Sequence, residues 1–76
     1  MFQKYMEIKP GQVWWHYKGT NYTIILIGKH SEAGEEMVAY EQEGTKNIYF
    51  RPMNLFFDEV EWESRTLPRF VLVCDN

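Results

Sequence analysis

A single cysteine, Cys74, rules out an intrachain disulfide and a cysteine-based zinc site, and it points to a reducing, cytoplasmic setting. Long hydrophobic runs are lacking too. Stretches such as the four residues from Ile24 to Ile27 fall far short of the roughly 20 that a membrane-spanning helix needs. Met1 to Lys9 mixes charge with aromatics and reads as neither a signal peptide nor an anchor, so no membrane partner is expected. There is also no basic excess: eight lysines and arginines face eleven acids, for a net charge of -3. Proteins that grip the phosphate backbone depend on such an excess. Nucleic-acid binding is therefore disfavoured and kept only as a weak third possibility.

What is present describes a chain that folds. Of 76 residues, 45% are hydrophobic, 17% aromatic and 25% charged, a balance expected of one small domain spanning residues 1-76. A domain of this size hides only about 60% of its unfolded surface, so its core has to be dense in aromatics or stapled from outside. Charge is unevenly placed. Met1 to His30 carries four lysines against one glutamate, whereas Ser31 to Glu63 holds nine acids against Lys46 and Arg51.

Strand signals dominate. Val13, Trp15 and Tyr17 alternate with Trp14 and His16, and Lys18-Gly19-Thr20-Asn21 supplies turn chemistry before the run Tyr22 to Ile27, which predicts a β-hairpin. Both parities of that second arm are apolar, which predicts a central or barrel-closing strand covered on both faces. Lys29 to Gly34 reads as a loop, Glu35 to Glu41 as a third strand, and Asn47 to Arg51 as a fourth that Pro52 stops. Met53 to Phe57 has apolar residues too closely spaced for a strand face and predicts a single 3₁₀ or α turn plugging one end of the core. In Glu59 to Glu63, Val60 and Trp62 are expected inward and the three glutamates outward, as a solvated face that guards an edge. Ser64 to Pro68 reads as a turn, and Phe70 to Val73 as a last strand. The fold class expected is mainly β: a strongly bent antiparallel sheet closing into an SH3-like barrel with one short helical turn. An open antiparallel meander against the N-terminal segment is the alternative.

The series Lys9-Pro10-Gly11, His16-Tyr17-Lys18-Gly19, His30-Ser31-Glu32, Arg51-Pro52 and Pro68-Arg69-Phe70, in this order and spacing, resembles a small bacterial family, domain of unknown function 1653. The resemblance runs from Lys9 to Val73 and includes Glu35, Val38, Tyr40 and Phe56. Two places depart from the pattern: Ala33-Gly34 follows Ser31-Glu32, and Gln42 to Lys46 replaces a tyrosine-glycine turn. The resemblance implies a compact bacterial β domain and carries over no activity, cofactor or catalytic residue.

The polar residues of the shared motifs are the candidates for chemistry. His16, Lys18, His30, Ser31, Glu32, Tyr49 and Arg51 all fall in or beside strand ends, where the loops of a small barrel gather at a rim. A hydrolytic site would use Ser31 with a histidine base, yet adjacent side chains on an extended chain diverge and no glycine-rich nucleophile turn is present. A metal needs three or four converging ligands, and two histidines fourteen positions apart with Glu32 are a marginal set. Neither a catalytic residue, a metal nor a cofactor is expected. The bland reading is an internal network in which Glu32 pairs with Arg51 or Lys18 and the histidines bond loop carbonyls. The functional reading is a non-enzymatic binding module for a peptide segment or small anionic ligand, with Arg51 presenting its fork and Trp14, His16 or Tyr49 supplying surface. Its rival is a small enzyme, or enzyme accessory, using His16, His30 and Glu32. Of the Trp14-Trp15 pair only one ring can enter the core, and the other is either a contact for a partner or lies under Phe2, Tyr5 and Met6.

Overall fold

The structure is a computed structural model that describes residues 8–75. Seven strands and one helical turn follow in the order β1 (Val13–His16), β2 (Thr20–Lys29), β3 (Glu36–Gln42), β4 (Ile48–Pro52), α1 (Met53–Phe56), β5 (Glu59–Trp62), β6 (Arg65–Pro68) and β7 (Phe70–Cys74). Five strands form one antiparallel sheet in the order β4-β3-β2-β1-β7, and β5 with β6 form a separate hairpin.

The class is mainly β and antiparallel, as the alternations require, but the pairing does not close into the barrel expected from the sequence. β4 and β7 stand at opposite edges of the sheet, and the chain between them is spent on α1 and on a hairpin whose two strands bond each other. The strand β6 lies where a turn was expected. The reversal occurs earlier, at Glu63 and Ser64, whose φ angles of 52° and 66° make a two-residue loop between the paired residues Trp62 and Arg65. Positive φ at both positions is the signature of a type I′ hairpin turn, where Asn-Gly is favoured. Replacing Glu63-Ser64 by Asn-Gly is therefore expected to raise stability by about 0.5–1 kcal/mol in denaturant melts.

β2 is central, flanked by β1 and β3, as its doubly apolar pattern implies. A bulge makes that pattern work. The register slips between Ile24 and Leu26, so Ile25 is the extra residue and both Ile24 and Ile27 face the core despite their odd spacing. Full cover on both faces does not follow, because the slip sends Leu26 to the other face, where it is half exposed.

The core is an aromatic stack beneath the sheet. Trp14, Ile24, Val38, Tyr40, Phe56 and Phe70 are buried together, with Ile8, Tyr22, Ile27, Met53, Phe57 and Leu72 packed against them. Phe56 and Phe70 lie face to face, centroids 4.1 Å apart and planes at 6°, while Trp14 and Tyr40 meet Phe56 edge-on. Pro52, with φ -58° and ψ 140°, ends β4 and starts α1, and the turn delivers Phe56 into the core as the plug its spacing suggests. Of the tryptophan pair, Trp14 enters the core and Trp15 stays 40% exposed. Phe2, Tyr5 and Met6 lie outside the described residues. Trp62 is not the inward residue that alternation predicts, since a two-stranded hairpin has little interior to offer it; it is 41% exposed and rests edge-on against Tyr17.

Candidate functional site

Alternation along the sheet puts His16, Tyr22, Tyr40, Tyr49, Arg51 and Phe70 on its core-side face, in neighbouring strands. Where this face runs past the end of the core, the rings touch in a chain. His16 packs against Phe70 at 5.0 Å and Tyr17 at 4.6 Å, and its ring lies 6.0 Å from Tyr22. Tyr22 in turn meets Tyr40 at 5.3 Å and Tyr49 at 6.2 Å. Cations border the chain. The Nε–H of Arg51 donates to the Tyr40 hydroxyl at 3.3 Å, and the Lys18 ammonium stands 5.9 Å from the Tyr17 ring centre.

The β5–β6 hairpin completes the edge of this surface. Trp62 leans on Tyr17, and Arg69 forks onto Asp58 with Nε–H and Nη2–H bonds of 2.6 and 3.1 Å. The backbone N–H of Arg69 also donates to the Asp58 carbonyl and that of Tyr17 to the Arg69 carbonyl, so hairpin and β1–β2 turn are fastened together. The Arg69 side chain is thereby occupied with Asp58, which raises its pKa above the ordinary arginine value. Arg51 is different. Among the described residues its side chain has Tyr40 as its hydrogen-bond partner, which leaves the outer fork of the guanidinium for something else.

Electrostatics agree with that geometry. Burial first, then the positive charges of Arg69, Lys18 and Arg51, hold the His16 pKa below its ordinary 6.5. The Tyr22 hydroxyl is pushed up by burial and by its neighbours Tyr49 and Tyr40. The cations around His16 disfavour a further positive charge there, while burial, the larger cause at both groups, disfavours charge of either sign. Because the folded imidazole resists protonation, the unfolded chain binds more protons as pH drops through 6.5. His16 should therefore make stability decline over that window, levelling off below its folded pKa. An NMR titration is expected to place the His16 midpoint below 6.5, and Arg51→Ala to move it part of the way back, burial remaining as the larger cause.

The residues expected from sequence thus divide into two groups. His16, Lys18, Tyr49 and Arg51 share this surface. His30, Ser31 and Glu32 do not, because β2 begins beside His16 and ends beside His30, and its ten residues extend about 30 Å along the strand. The single cluster anticipated for these side chains is not formed. The loop holding His30 is instead self-contained: its Nδ1 accepts the backbone N–H groups of Glu32 and Ala33 at 3.2 and 3.1 Å, and its own N–H donates to the Glu35 carbonyl. Ser31 and Glu32 are exposed. The expected pairing of Glu32 with Arg51 is likewise replaced, since Arg51 leaves β4 on the core-side face and meets Tyr40. Both histidines accept backbone N–H bonds rather than donating to carbonyls, His16 Nδ1 taking that of Lys18. Among the described residues no group of three or more His, Cys, Asp or Glu side chains is placed to hold a metal. No helix of the described residues is long and apolar enough to cross a membrane.

Sequence reasoning missed Tyr17, Tyr22 and Trp62 as parts of the surface, and Asp58 as its brace. Tyr22 could have been found by carrying the parity of His16 across the hairpin turn, since the two fall on the same face.

The family model for "Protein of unknown function (DUF1653)" matches residues 12–72. No curated protein matches the chain. Among solved structures, the crystal structure of a DUF1653 protein from Bordetella bronchiseptica is similar, with 25% sequence identity, a TM-score of 0.77 and 90% of each chain covered. The matched residues span β1 through most of β7, and with them the His16, Arg51 and Arg69 surface. The chain belongs to the DUF1653 family.

Proposed function

We propose that this domain is a non-enzymatic binding module that takes an anionic group, a carboxylate of a small ligand or of a peptide segment, on the surface formed by His16, Lys18, Tyr49 and Arg51. The observation that carries the reading is the Arg51 guanidinium, whose Nε–H is held by Tyr40 within a row of touching tyrosines and whose outer fork has no hydrogen-bond partner among the described residues. A fork of this kind matches a carboxylate in two parallel bonds. The aromatic row supplies apolar area beside the charge, the mixture common in small-ligand sites. In this reading the curled sheet works as an SH3-like barrel does, with turns and strand ends presenting the binding groups at a rim, in a cytoplasmic bacterial protein. The enzyme alternative needs His16, His30 and Glu32 together, and these stand at opposite ends of β2.

The test is an NMR titration with acetate, inorganic phosphate and short peptides bearing a free C-terminal carboxylate. Saturable shifts are expected at Lys18, Tyr49 and Arg51, together with a rise in the His16 pKa as the anion offsets its cationic neighbours. Arg51→Ala should weaken binding by about 1.5–3 kcal/mol, the worth of a charge-assisted hydrogen bond. Shifts that do not saturate, or that survive Arg51→Ala unchanged, would remove the proposal.

A further inference from the structure

Strand β4 is an edge whose guards, Arg51 and Pro52, stand only at its C-terminal end. Ile48, Tyr49 and Phe50 are 47, 42 and 66% exposed, three consecutive large apolar residues with no charge among them. Edges of this kind are templates for pairing unless charge, a bulge or a cover intervenes. At the other edge of the sheet, β7 carries a register irregularity against β1. The hairpin strand β5 carries exposed Glu59 and Glu61. Among the described residues, β3 is the only strand paired with β4.

The direction of the β4 backbone groups follows from its pairing. The Gln42 N–H donates to the Asn47 carbonyl at 3.0 Å, so that pair is hydrogen-bonded. Alternation then makes Tyr49 and Arg51 the residues bonded to β3, across from Tyr40 and Val38. Ile48, Phe50 and Pro52 consequently turn their backbone polar groups to the open edge, which agrees with proline lacking an N–H at that place.

We infer that this edge pairs with the β4 of a second copy of the chain, antiparallel, about a twofold axis at Tyr49. Ile48 then faces Phe50 of the partner, and Phe50 faces Ile48 of the partner. This register satisfies every outward N–H and C=O of the two residues. An axis at Phe50 would set Ile48 against a proline and leave the Ile48 carbonyl unpaired. Self-complementarity of one short patch is what a twofold interface demands. The side chains agree, since Ile48 and Phe50 meet on the outer face while the two Tyr49 rings adjoin on the other. Covering the exposed parts of these three residues and their flanks in both copies removes on the order of 800–1,000 Å² of surface, below the size of stable interfaces and in the range of transient ones. A contact of this size makes a weak, reversible dimer.

Sedimentation equilibrium over 1 μM to 1 mM of the full chain tests it. The expected result is a mass rising from 9.2 kDa towards twice that value, with Ile48 and Phe50 amides gaining hydrogen-exchange protection in step with concentration. Phe50→Lys, at an exposed position that leaves the core intact, should raise the Kd at least tenfold without lowering Tm appreciably, and Ile48→Pro should do the same by deleting an outward N–H. A monomer at 1 mM overturns the inference. So does a dimer indifferent to both variants, or edge amides protected equally at every concentration, which would mean that the edge is covered within one chain.

Discussion

Phe56→Ala is expected to cost about 3–5 kcal/mol, the range for emptying an aromatic site in a packed core. Its ring is fully buried, stacked on Phe70 at 4.1 Å and met edge-on by Trp14 and Tyr40. The four-residue α1 has no length with which to sustain itself. The Phe56 ring is what ties it down, so the helical turn should go with the side chain. Domains are stabilised by about 0.05–0.15 kcal/mol per residue, which for 76 residues is about 4–11 kcal/mol in all. The variant should therefore lose a large share of the total, and with a wild-type stability at the lower end of that range it would be close to its midpoint. Urea melts followed by tryptophan fluorescence measure this directly. Leu55→Ala is the matched control, because Leu55 sits on the same turn but is 44% exposed, and it should cost under about 1 kcal/mol. Equal losses at the two positions would mean that the turn, and not the Phe56-Phe70 stack, supplies the stability.

The parts of the fold legible in the sequence were those fixed by local chemistry. Alternation from Val13 to His16 and the turn at Lys18-Gly19 give the first hairpin, and Pro52 followed by crowded apolar residues gives α1. What escaped depends on long-range geometry. The Ile24/Leu26 slip does not alter composition, so nothing local announces that Leu26 will face outward. The Glu63-Ser64 turn was hidden because neither residue is one that favours positive φ, and the reversal is enforced by the pairing of Trp62 with Arg65. The candidate site was half legible for a similar reason. His16, Lys18, Tyr49 and Arg51 are identifiable as polar or amphipathic groups near strand ends, but which end each occupies depends on the length of β2. A ten-residue strand separates His30 from His16 however similar their flanking motifs look.

Gln12 carries the second large effect, and no pattern in the sequence singles it out. It is a polar side chain at 1% exposure, just ahead of β1. Its Oε1 accepts the Lys9 N–H at 2.9 Å and the Trp14 Nε1–H at 3.1 Å, and its Nε2–H donates to Asp75 at 2.9 Å. One amide thus satisfies the polar atom of the largest fully buried ring while joining the chain segment before β1 to the residue after β7. Gln12→Ala removes the acceptor and leaves the indole N–H in a dry site, a penalty of about 1–3 kcal/mol, to which the vacated side-chain volume adds. A total of about 2–4 kcal/mol is expected. Trp14→Phe separates the two contributions, since it deletes the donor that Gln12→Ala would strand. In the double variant no orphan N–H remains, so the combined loss should fall short of the sum of the single losses by about 1 kcal/mol or more. Asp75→Ala removes only the bond at the outer end and should cost about 0.5–1.5 kcal/mol. Strict additivity of Gln12→Ala and Trp14→Phe in urea melts would show that the amide fills space at this position without serving the indole, and the ordering of the segment before β1 would then have to rest on backbone bonds, the Gly11 N–H donating to the Ile24 carbonyl and the Ile24 N–H to the Gln12 carbonyl.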